Sequence, residues 1–237
     1  MRILFVLTSQ GRMGAGDRPT GLWIEEFTAP YFLFRDAGAA ITLASPLGGL
    51  VPTDPTGDAV EPVPPSVARF RADAAAQSAL AATRPLAAIA PHGFPQGFDA
   101  IFYPGGLGPM WDLAADPHSR ALIETAFTAA TPIAFVCHGQ AALAACRAPD
   151  GRPLVAGRRL TAFSRAEDEA AGLVTLAPFV LEDRLRALGA DFRHGPPDAP
   201  FVVRDGHLLT GQNPASSLPL AEALLALLTL EPKSPAP

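Results

Sequence analysis

Residues 134–143 read AFVCHGQAAL, and this stretch decides the expected fold. Its apolar first half, preceded by Pro132, predicts a buried strand that ends at Cys137. Gly139 then opens an alanine-rich segment of good helix formers, which predicts a helix to about Arg147. A cysteine at such a turn presents its sulfur at the carboxyl edge of a sheet, where the amino end of a helix favours a thiolate. The stretch therefore predicts an α/β protein with a nucleophilic cysteine beside a histidine.

Bulk composition excludes several other classes. The 237 residues are 49% hydrophobic and 17% charged, which allows a sizeable core and argues against disorder. A net charge of −5 and a pI near 5.5 give no electrostatic reason to bind nucleic acid or an anionic membrane. Two cysteines provide neither a disulfide framework nor a thiol zinc site. Without a signal peptide or a run long enough to span a bilayer, we expect a cytoplasmic protein.

Strand and helix patterns alternate along the chain. Apolar strand patterns occur at 2–8, 40–44, 98–103 and 132–136, and a hairpin is predicted around the Asp205–Gly206 turn. Helical patterns lie between them, at 20–36, 66–83, 117–130 and 178–188, and a last one ends at Leu230. This alternation indicates a mostly parallel sheet with helices on both faces. We expect one domain, residues 1–230, followed by a disordered tail, residues 231–237.

The glycine-rich loop GRMGAG, residues 11–16, follows the first strand and raises the question of a dinucleotide site. Its spacing does not fit the GxGxxG pattern. The second strand ends at Ser45 and Pro46, where a dinucleotide site needs an acidic residue for the ribose. We therefore expect no nicotinamide cofactor.

Glu26 stands out within the first predicted helix, which runs from an N-cap at Thr20 to Asp36. At 100° per residue it falls in the middle of the apolar arc, where a carboxylate is costly unless something requires it. Burial raises a carboxyl pKa, so Glu26 could donate a hydrogen bond to a thiolate or, when ionised, accept a proton from a substrate carbon. The alternative is a structural pairing with a buried arginine or a backbone N–H.

The other candidates depend on context. His138, next to the cysteine, is favoured as a base or acid over a structural histidine. Asp168 could orient that histidine, but the Ser164–Glu167 capping box favours a capping role for the acidic cluster. Cys146 is predicted to lie in the core. We expect the remaining histidines to lie at the surface: His92, His118, His194 and His207.

Motifs spread over the chain resemble the DJ/PfpI-type family of the class I glutamine amidotransferase-like superfamily. The chain is most similar to its heat-shock chaperone and glyoxalase III-like branch. The motifs are TGLWIEE at 20–26, LASP at 43–46, DAIFYPGG at 99–106, GPMWDL at 108–113, VCHG at 136–139, PFVLED at 178–183 and TGQNPASS at 210–217.

The resemblance implies a flavodoxin-like three-layer sandwich, usually dimeric. It implies Cys137 as the nucleophile with His138 beside it, the family's buried glutamate at Glu26, and Asp168 as the acidic triad member. It places the oxyanion donors at the N–H groups of Gly106 and His138, within an oxyanion- or substrate-binding region that includes Gly105 and Gly139. One departure is Leu107, where many relatives carry a histidine, so substrate choice is expected to differ here or activity to be weak.

The function that this implies is a glyoxalase III-like conversion of methylglyoxal or a related 2-oxoaldehyde to a 2-hydroxy acid. The scheme requires neither a metal nor glutathione. Alternatives are a holdase chaperone of the same fold, or a cysteine peptidase, amidase or hydratase. The expected partners are the small substrate and a second copy of the chain, with no nucleic acid and no membrane.

Overall fold

A computed structural model of the protein describes residues 1–89 and 97–230. The strands are β1 (Arg2–Val6), β2 (Ala40–Ser45), β3 (Arg84–Pro85), β4 (Ala100–Tyr103), β5 (Ile133–Val136), β6 (Arg159–Leu160), β7 (Asp191–Phe192), β8 (Val202–Asp205) and β9 (Leu208–Gly211). The α-helices are α1 (Ile24–Asp36), α2 (Pro55–Asp58), α3 (Pro65–Arg71), α4 (Ala74–Ala81), α5 (Leu86–Ile89), α6 (Pro117–Thr128), α7 (Arg165–Ala170), α8 (Leu181–Ala187) and α9 (Ser217–Leu230). Short 3₁₀ helices span Gly108–Met110, Gly139–Leu143 and Pro214–Ser216.

Within the described residues, seven strands form one sheet in the order β3-β2-β1-β4-β5-β9-β8. All neighbours are parallel except β8 and β9, which form the predicted antiparallel hairpin with Gly206 at φ +62°. β6 and β7 pair separately. The carboxyl ends of β1, β4 and β5 therefore lie side by side at one edge, the place where parallel α/β sheets bind ligands.

Two apolar layers cover the sheet, one on each face. On β1, Ile3 and Phe5 pack towards α1 and α9, while Leu4 and Val6 join the layer that contains side chains of α6 and α8. This alternation follows from the two-residue period of a strand. The result is the predicted flavodoxin-like three-layer sandwich. The assignment of residues 1–230 to one domain stays a prediction.

Helix α1 begins at Ile24, so the predicted N-cap at Thr20 is wrong. The preceding residues run extended beside residues 52–54, with Leu22 N–H donating to the Pro52 carbonyl at 2.9 Å. Thr20 instead donates its hydroxyl to Asp54 Oδ2 at 3.0 Å. Tertiary hydrogen bonds therefore hold this segment out of the helix.

Two other predicted helices also differ. The predicted helix at 66–83 is two helices, α3 and α4, and the break falls at Asp73, whose Oδ1 accepts a hydrogen bond from Ala76 N–H at 2.9 Å. The helix predicted after Cys137 is only the five-residue 3₁₀ helix Gly139–Leu143. Alanine propensity did not extend it, because tertiary packing overrides a weak local preference.

Within residues 1–89 and 97–230, no helix combines the length and the apolar character that crossing a membrane requires. The predicted tail at 231–237 and the predicted surface position of His92 lie outside the described residues. The other three histidines are exposed, as predicted: His118, His194 and His207.

Candidate active site

Cys137 stands at a sharp turn directly after β5. Its φ is +61°, a left-handed conformation that residues other than glycine rarely adopt. The surrounding chain holds it there, because Cys137 N–H donates to the Gly211 carbonyl at 3.0 Å and the Cys137 carbonyl accepts from Phe163 N–H at 3.1 Å. The side chain is only 4% exposed and lines a pocket. Backbone strain at a nucleophile's position is typical of functional sites.

The two residues after His138 support the turn from behind. A Cβ on Gly139 would lie 2.6 Å from the Tyr103 carbonyl oxygen, so only glycine permits this close packing against the end of β4. Gln140 Nε2 donates to the carbonyls of Thr161 at 2.9 Å and Gly211 at 2.8 Å. Gly139 is not among the residues that line the pocket, and its expected part in substrate binding stays a prediction.

His138 connects Cys137 to Asp168. Its Nδ1 lies 3.4 Å from the cysteine sulfur, and its Nε2 lies 3.0 Å from Asp168 Oδ1. A carboxylate at Nε2 favours the tautomer with the proton on Nε2, which leaves the Nδ1 lone pair directed at the thiol. The Phe163 ring packs against the imidazole with centroids 4.6 Å apart. The geometry suits a base that takes the thiol proton.

Asp168 is the fourth residue of α7, which begins at Arg165. The Ser164–Glu167 capping box predicted from the sequence is present, and Glu167 rather than Asp168 does the capping. This leaves the Asp168 carboxylate, 1% exposed, to face His138. The capping role favoured from the residues alone is therefore wrong for Asp168.

Glu26 is fully buried on α1, as its place on the apolar arc predicts. Its Oε2 accepts a hydrogen bond from Gly105 N–H at 2.7 Å, its Oε1 has no hydrogen-bond partner among the described residues, and the carboxyl is near enough to the Cys137 thiol for each group to shift the other's pKa. Burial raises the pKa of Glu26 to about 8, although the Cys137 thiol and the Gly105 N–H act to lower it. Such a carboxyl is mostly protonated at pH 7 and keeps a minor ionised fraction that can act as a base.

The thiol is not a resting thiolate. Burial raises the pKa of Cys137 well above its ordinary value, and the charge of Glu26 raises it further. The backbone N–H groups of Gly106 and His138 act in the opposite direction, lowering the pKa, but do not outweigh burial. The expected stabilisation by a helix N-terminus is weak because only a five-residue 3₁₀ helix follows.

Those two N–H groups form the candidate oxyanion hole. Both lower the pKa of the Cys137 thiol, so they lie close to the place where the oxygen of an attacked carbonyl would gain negative charge. Gly106 has φ +81°, and a Cβ there would collide with the backbone of residues 21–23. Gly105 differs from the expectation, because its N–H is already bonded to Glu26 and so orients the carboxyl.

A pocket of about 300 Å³ opens in front of Cys137 and His138. Much of its wall is apolar: Met13, Trp23, Leu107, Phe163, Leu173 and Pro214. Charged and polar side chains also line it: Arg18, Asp54, Thr56 and Asp198. Apart from Leu107, sequence reasoning gave these wall residues no part in the site, although Trp23 and Pro214 lie within the motifs at 20–26 and 210–217.

The second cysteine and the possible metal ligands were the remaining chemical candidates. Cys146 is buried as predicted and donates its thiol to the Ala142 carbonyl at 3.2 Å. In the described part of the chain, no group of three or more His, Cys, Asp and Glu side chains is arranged to hold a metal ion.

Several known proteins are similar to this chain in sequence or in structure. The "Probable glutathione-independent glyoxalase hsp3103" of Schizosaccharomyces pombe is 34% identical over 142 residues, 56% of this chain and 54% of that protein. The chain thus aligns with about half the length of that relative. "Glyoxalase 3" of Candida albicans is 25% identical over 95% of this chain and 98% of its own. The Rapid Encystment Protein 24 kDa of Francisella tularensis has a TM-score of 0.88 and 30% identity, over 96% of this chain and 98% of that one.

The sequence profile of the DJ-1/PfpI family matches residues 24–227, most of the chain. The matched range contains Glu26, Cys137, His138 and Asp168, the four side chains that the fold brings to one sheet edge. The chain belongs to the DJ-1/PfpI family.

Proposed function

We propose that the protein converts 2-oxoaldehydes such as methylglyoxal to 2-hydroxy acids without glutathione. The placement of the buried Glu26 carboxyl beside the Cys137–His138 pair, where it and the thiol shift each other's pKa, carries this proposal. It puts a proton-transferring group beside the atom to which the substrate carbon would be bound. The glyoxalase names of the relatives from Schizosaccharomyces pombe and Candida albicans support the same chemistry.

In the first step the Cys137 sulfur attacks the aldehyde carbon and forms a C–S bond. His138 Nδ1, 3.4 Å from the sulfur, accepts the thiol proton and returns it to the new alkoxide. The Asp168 carboxylate stabilises the transient imidazolium through Nε2. The N–H groups of Gly106 and His138 stabilise the developing negative charge on oxygen. The product of this step is a hemithioacetal.

In the second step ionised Glu26 removes the proton from the sulfur-bearing carbon and gives an enediol. The same carboxyl then returns a proton to the neighbouring carbon, while the hydroxyl proton moves from one oxygen to the other. The result is a thioester of a 2-hydroxy acid. A carboxyl with a pKa of about 8 is a stronger base than an ordinary glutamate and still releases the proton readily.

In the third step water attacks the thioester and the C–S bond breaks. His138 takes the proton from water, and the cysteine leaves as a thiolate that regains its proton. The sum is addition of one water to the 2-oxoaldehyde, so methylglyoxal gives lactate. No external oxidant or reductant is needed.

Lactate formation by purified protein treated with a metal chelator, without glutathione, tests the proposal. Cys137→Ala should lower kcat by about a thousandfold or more, because it removes the covalent step. Glu26→Gln should lower kcat about a hundredfold or more, because an amide cannot carry the proton. Cys146→Ala is the matched control and should keep near-wild-type kcat, since that thiol is a core residue. Equal inactivity of the wild type and the variants towards several 2-oxoaldehydes would contradict the proposal.

Assembly and location are proposed on the family resemblance alone. We propose a cytoplasmic homodimer without nucleic-acid or membrane partners, and light scattering of the purified protein tests the dimer. For the holdase alternative, a contiguous apolar surface would be needed. The exposed large apolar side chains among the described residues are few, and they give the holdase no specific support: Met1, Leu47, Leu50, Leu218 and Leu230.

A further inference from the structure

A short hairpin-like loop carries Arg18 to the pocket wall. Residues Arg12 and Pro19 form an isolated antiparallel bridge, and Met13 N–H donates to the Arg18 carbonyl at 2.9 Å. Met13 and Arg18 both line the pocket that contains Cys137. Among the described pocket residues, Arg18 is the only lysine or arginine.

The charge of Arg18 is not neutralised within the described protein. Its guanidinium makes no ion pair and no side-chain hydrogen bond with the described residues. The adjacent Asp17 pairs with Arg12 at 2.5 Å instead. An unpaired guanidinium at the wall of a pocket is available to a ligand, and its planar fork of donors matches a carboxylate.

Two carboxylates line the same pocket as Arg18, and they differ in burial and in their hydrogen bonds. Asp54 is buried, and both its oxygens are already used, accepting from Thr56 N–H at 2.9 Å and the Thr20 hydroxyl at 3.0 Å. Asp198 is exposed at the rim, with φ +59° and its N–H bonded to Glu167. An anionic ligand would therefore be attracted by Arg18 and repelled by the exposed Asp198, and the charge of Asp54, which its two neutral donors do not cancel, would also act against it.

The pocket is larger than methylglyoxal requires. A volume of about 300 Å³ reaches the lower end of pockets that hold drug-sized ligands, whereas methylglyoxal has a three-carbon chain. A substrate that spans from Cys137 to the loop of Arg18 needs a longer chain with an anionic end.

We propose that Arg18 is a substrate-binding residue that selects 2-oxoaldehydes carrying a terminal carboxylate. The inference rests on the proposed function and adds the substrate class. A suitable probe is 4,5-dioxopentanoate, a 2-oxoaldehyde with a carboxylate at the far end of a short chain. Addition of one water converts it to 2-hydroxyglutarate, so that atoms and electrons balance as they do for methylglyoxal.

The test compares kcat/KM for the dioxopentanoate probe and for methylglyoxal. The wild type should prefer the probe about tenfold, the effect of one partly exposed charge-assisted interaction. Arg18→Gln should lower kcat/KM for the probe about tenfold more than for methylglyoxal. Arg12→Gln is the matched control on the same loop. It should leave the ratio of kcat/KM for the probe to kcat/KM for methylglyoxal unchanged, because Arg12 is already paired with Asp17. Asp198→Asn should raise this ratio, the opposite of the effect of Arg18→Gln, because it removes a negative charge from the pocket wall.

A binding measurement separates this inference from the proposed function. Calorimetry should show 2-hydroxyglutarate binding about tenfold more weakly to Arg18→Gln than to the wild type, whether or not turnover occurs. Equal binding to both proteins, or an equal fall of kcat/KM for both substrates in Arg18→Gln, would overturn the assignment of Arg18. Turnover of methylglyoxal without preference for the probe would leave the proposed function standing and reject the inference. Turnover of neither substrate rejects the proposed function alone, and the binding result then decides on Arg18.

Discussion

The Glu26 carboxyl and the Cys137 thiol are two acids in one buried site, where two negative charges cannot coexist cheaply. Burial raises both pKa values, so at neutral pH the resting pair holds at most a single charge. His138 Nδ1 lies 3.4 Å from the sulfur, and in the proposed mechanism it takes the thiol proton as the sulfur attacks a carbonyl carbon. The cysteine is thus activated at the moment of attack.

The raised pKa of Glu26 has a measurable effect on stability. Because the folded value is about 8 and the ordinary value 4.5, the folded protein binds the proton more tightly than the unfolded chain between these limits. The free energy of unfolding therefore loses this contribution as pH rises from about 4.5 to about 8 and is level above that. Relative to the wild type, Glu26→Gln should gain stability across this window, measured by urea unfolding at several pH values. A difference that does not vary with pH would contradict the burial of an ionisable Glu26.

Among the secondary-structure elements, the short helix α7 contacts both the catalytic candidates and the pocket wall. Its Asp168 faces His138, and its Glu167 accepts a hydrogen bond from Asp198 of the wall. Glu167, 2% exposed, accepts hydrogen bonds from Ser164 N–H at 2.9 Å, from Asp198 N–H at 3.0 Å and from Asn213 Nδ2 at 2.8 Å. Burial alone would raise the pKa of Glu167, but these donors outweigh it and lower the pKa. The carboxylate next to Asp168 in sequence therefore anchors the helix that presents Asp168 to the histidine.

Glu167→Gln should destabilise the protein by about 1–3 kcal/mol, because the amide nitrogen would meet hydrogen-bond donors. It should also lower kcat, since Asp168 moves with α7. Thermal unfolding and lactate assays measure the two effects. The control is Glu169→Gln on the same helix, where the exposed pair with Arg165 at 3.3 Å should contribute less than about 1 kcal/mol. If Glu167→Gln and Glu169→Gln changed stability and kcat equally, the proposed anchoring of α7 by Glu167 would be contradicted.

At the scale of the whole molecule, the site depends on a rigid sheet between two apolar layers. Phe5, the fourth residue of β1, is fully buried, and its ring centroid lies 5.8 Å from that of Phe27, 6.0 Å from that of Phe34 and 5.2 Å from that of Phe102. This aromatic cluster holds α1, and with it Glu26, against the sheet. The position of the carboxyl is thus a property of the core.

Phe5→Ala should lower the free energy of unfolding by about 3–5 kcal/mol, as expected for a buried aromatic residue replaced by alanine. Leu47→Ala, at a side chain of 80% exposure, should change it by less than about 0.5 kcal/mol. Denaturant titrations of both variants provide the measurement. A loss at Phe5 no larger than that at Leu47 would show that the cluster does not support the fold.

The sequence by itself determined the features that repeat over a few residues. A helical period isolated Glu26 as a buried carboxyl, and the alternation of strands and helices identified the sandwich, because both patterns are local consequences of backbone geometry. The apolar run ending at Cys137 likewise located the turn after β5. Helix ends were less well predicted, since residues 20–23 are held extended by hydrogen bonds to residues 52–54 and Gly105.

Only the tertiary structure decided which groups meet. Asp168 contacts His138 from 30 positions further along the chain, and the Gly105 N–H donates to Glu26 on a helix that is distant in sequence. The protonated state of Cys137 also follows from burial, which depends on the order of the strands and the packing of both layers. Such pairings carry no period in the sequence, because they join loops and strand ends that are adjacent only in the folded sheet.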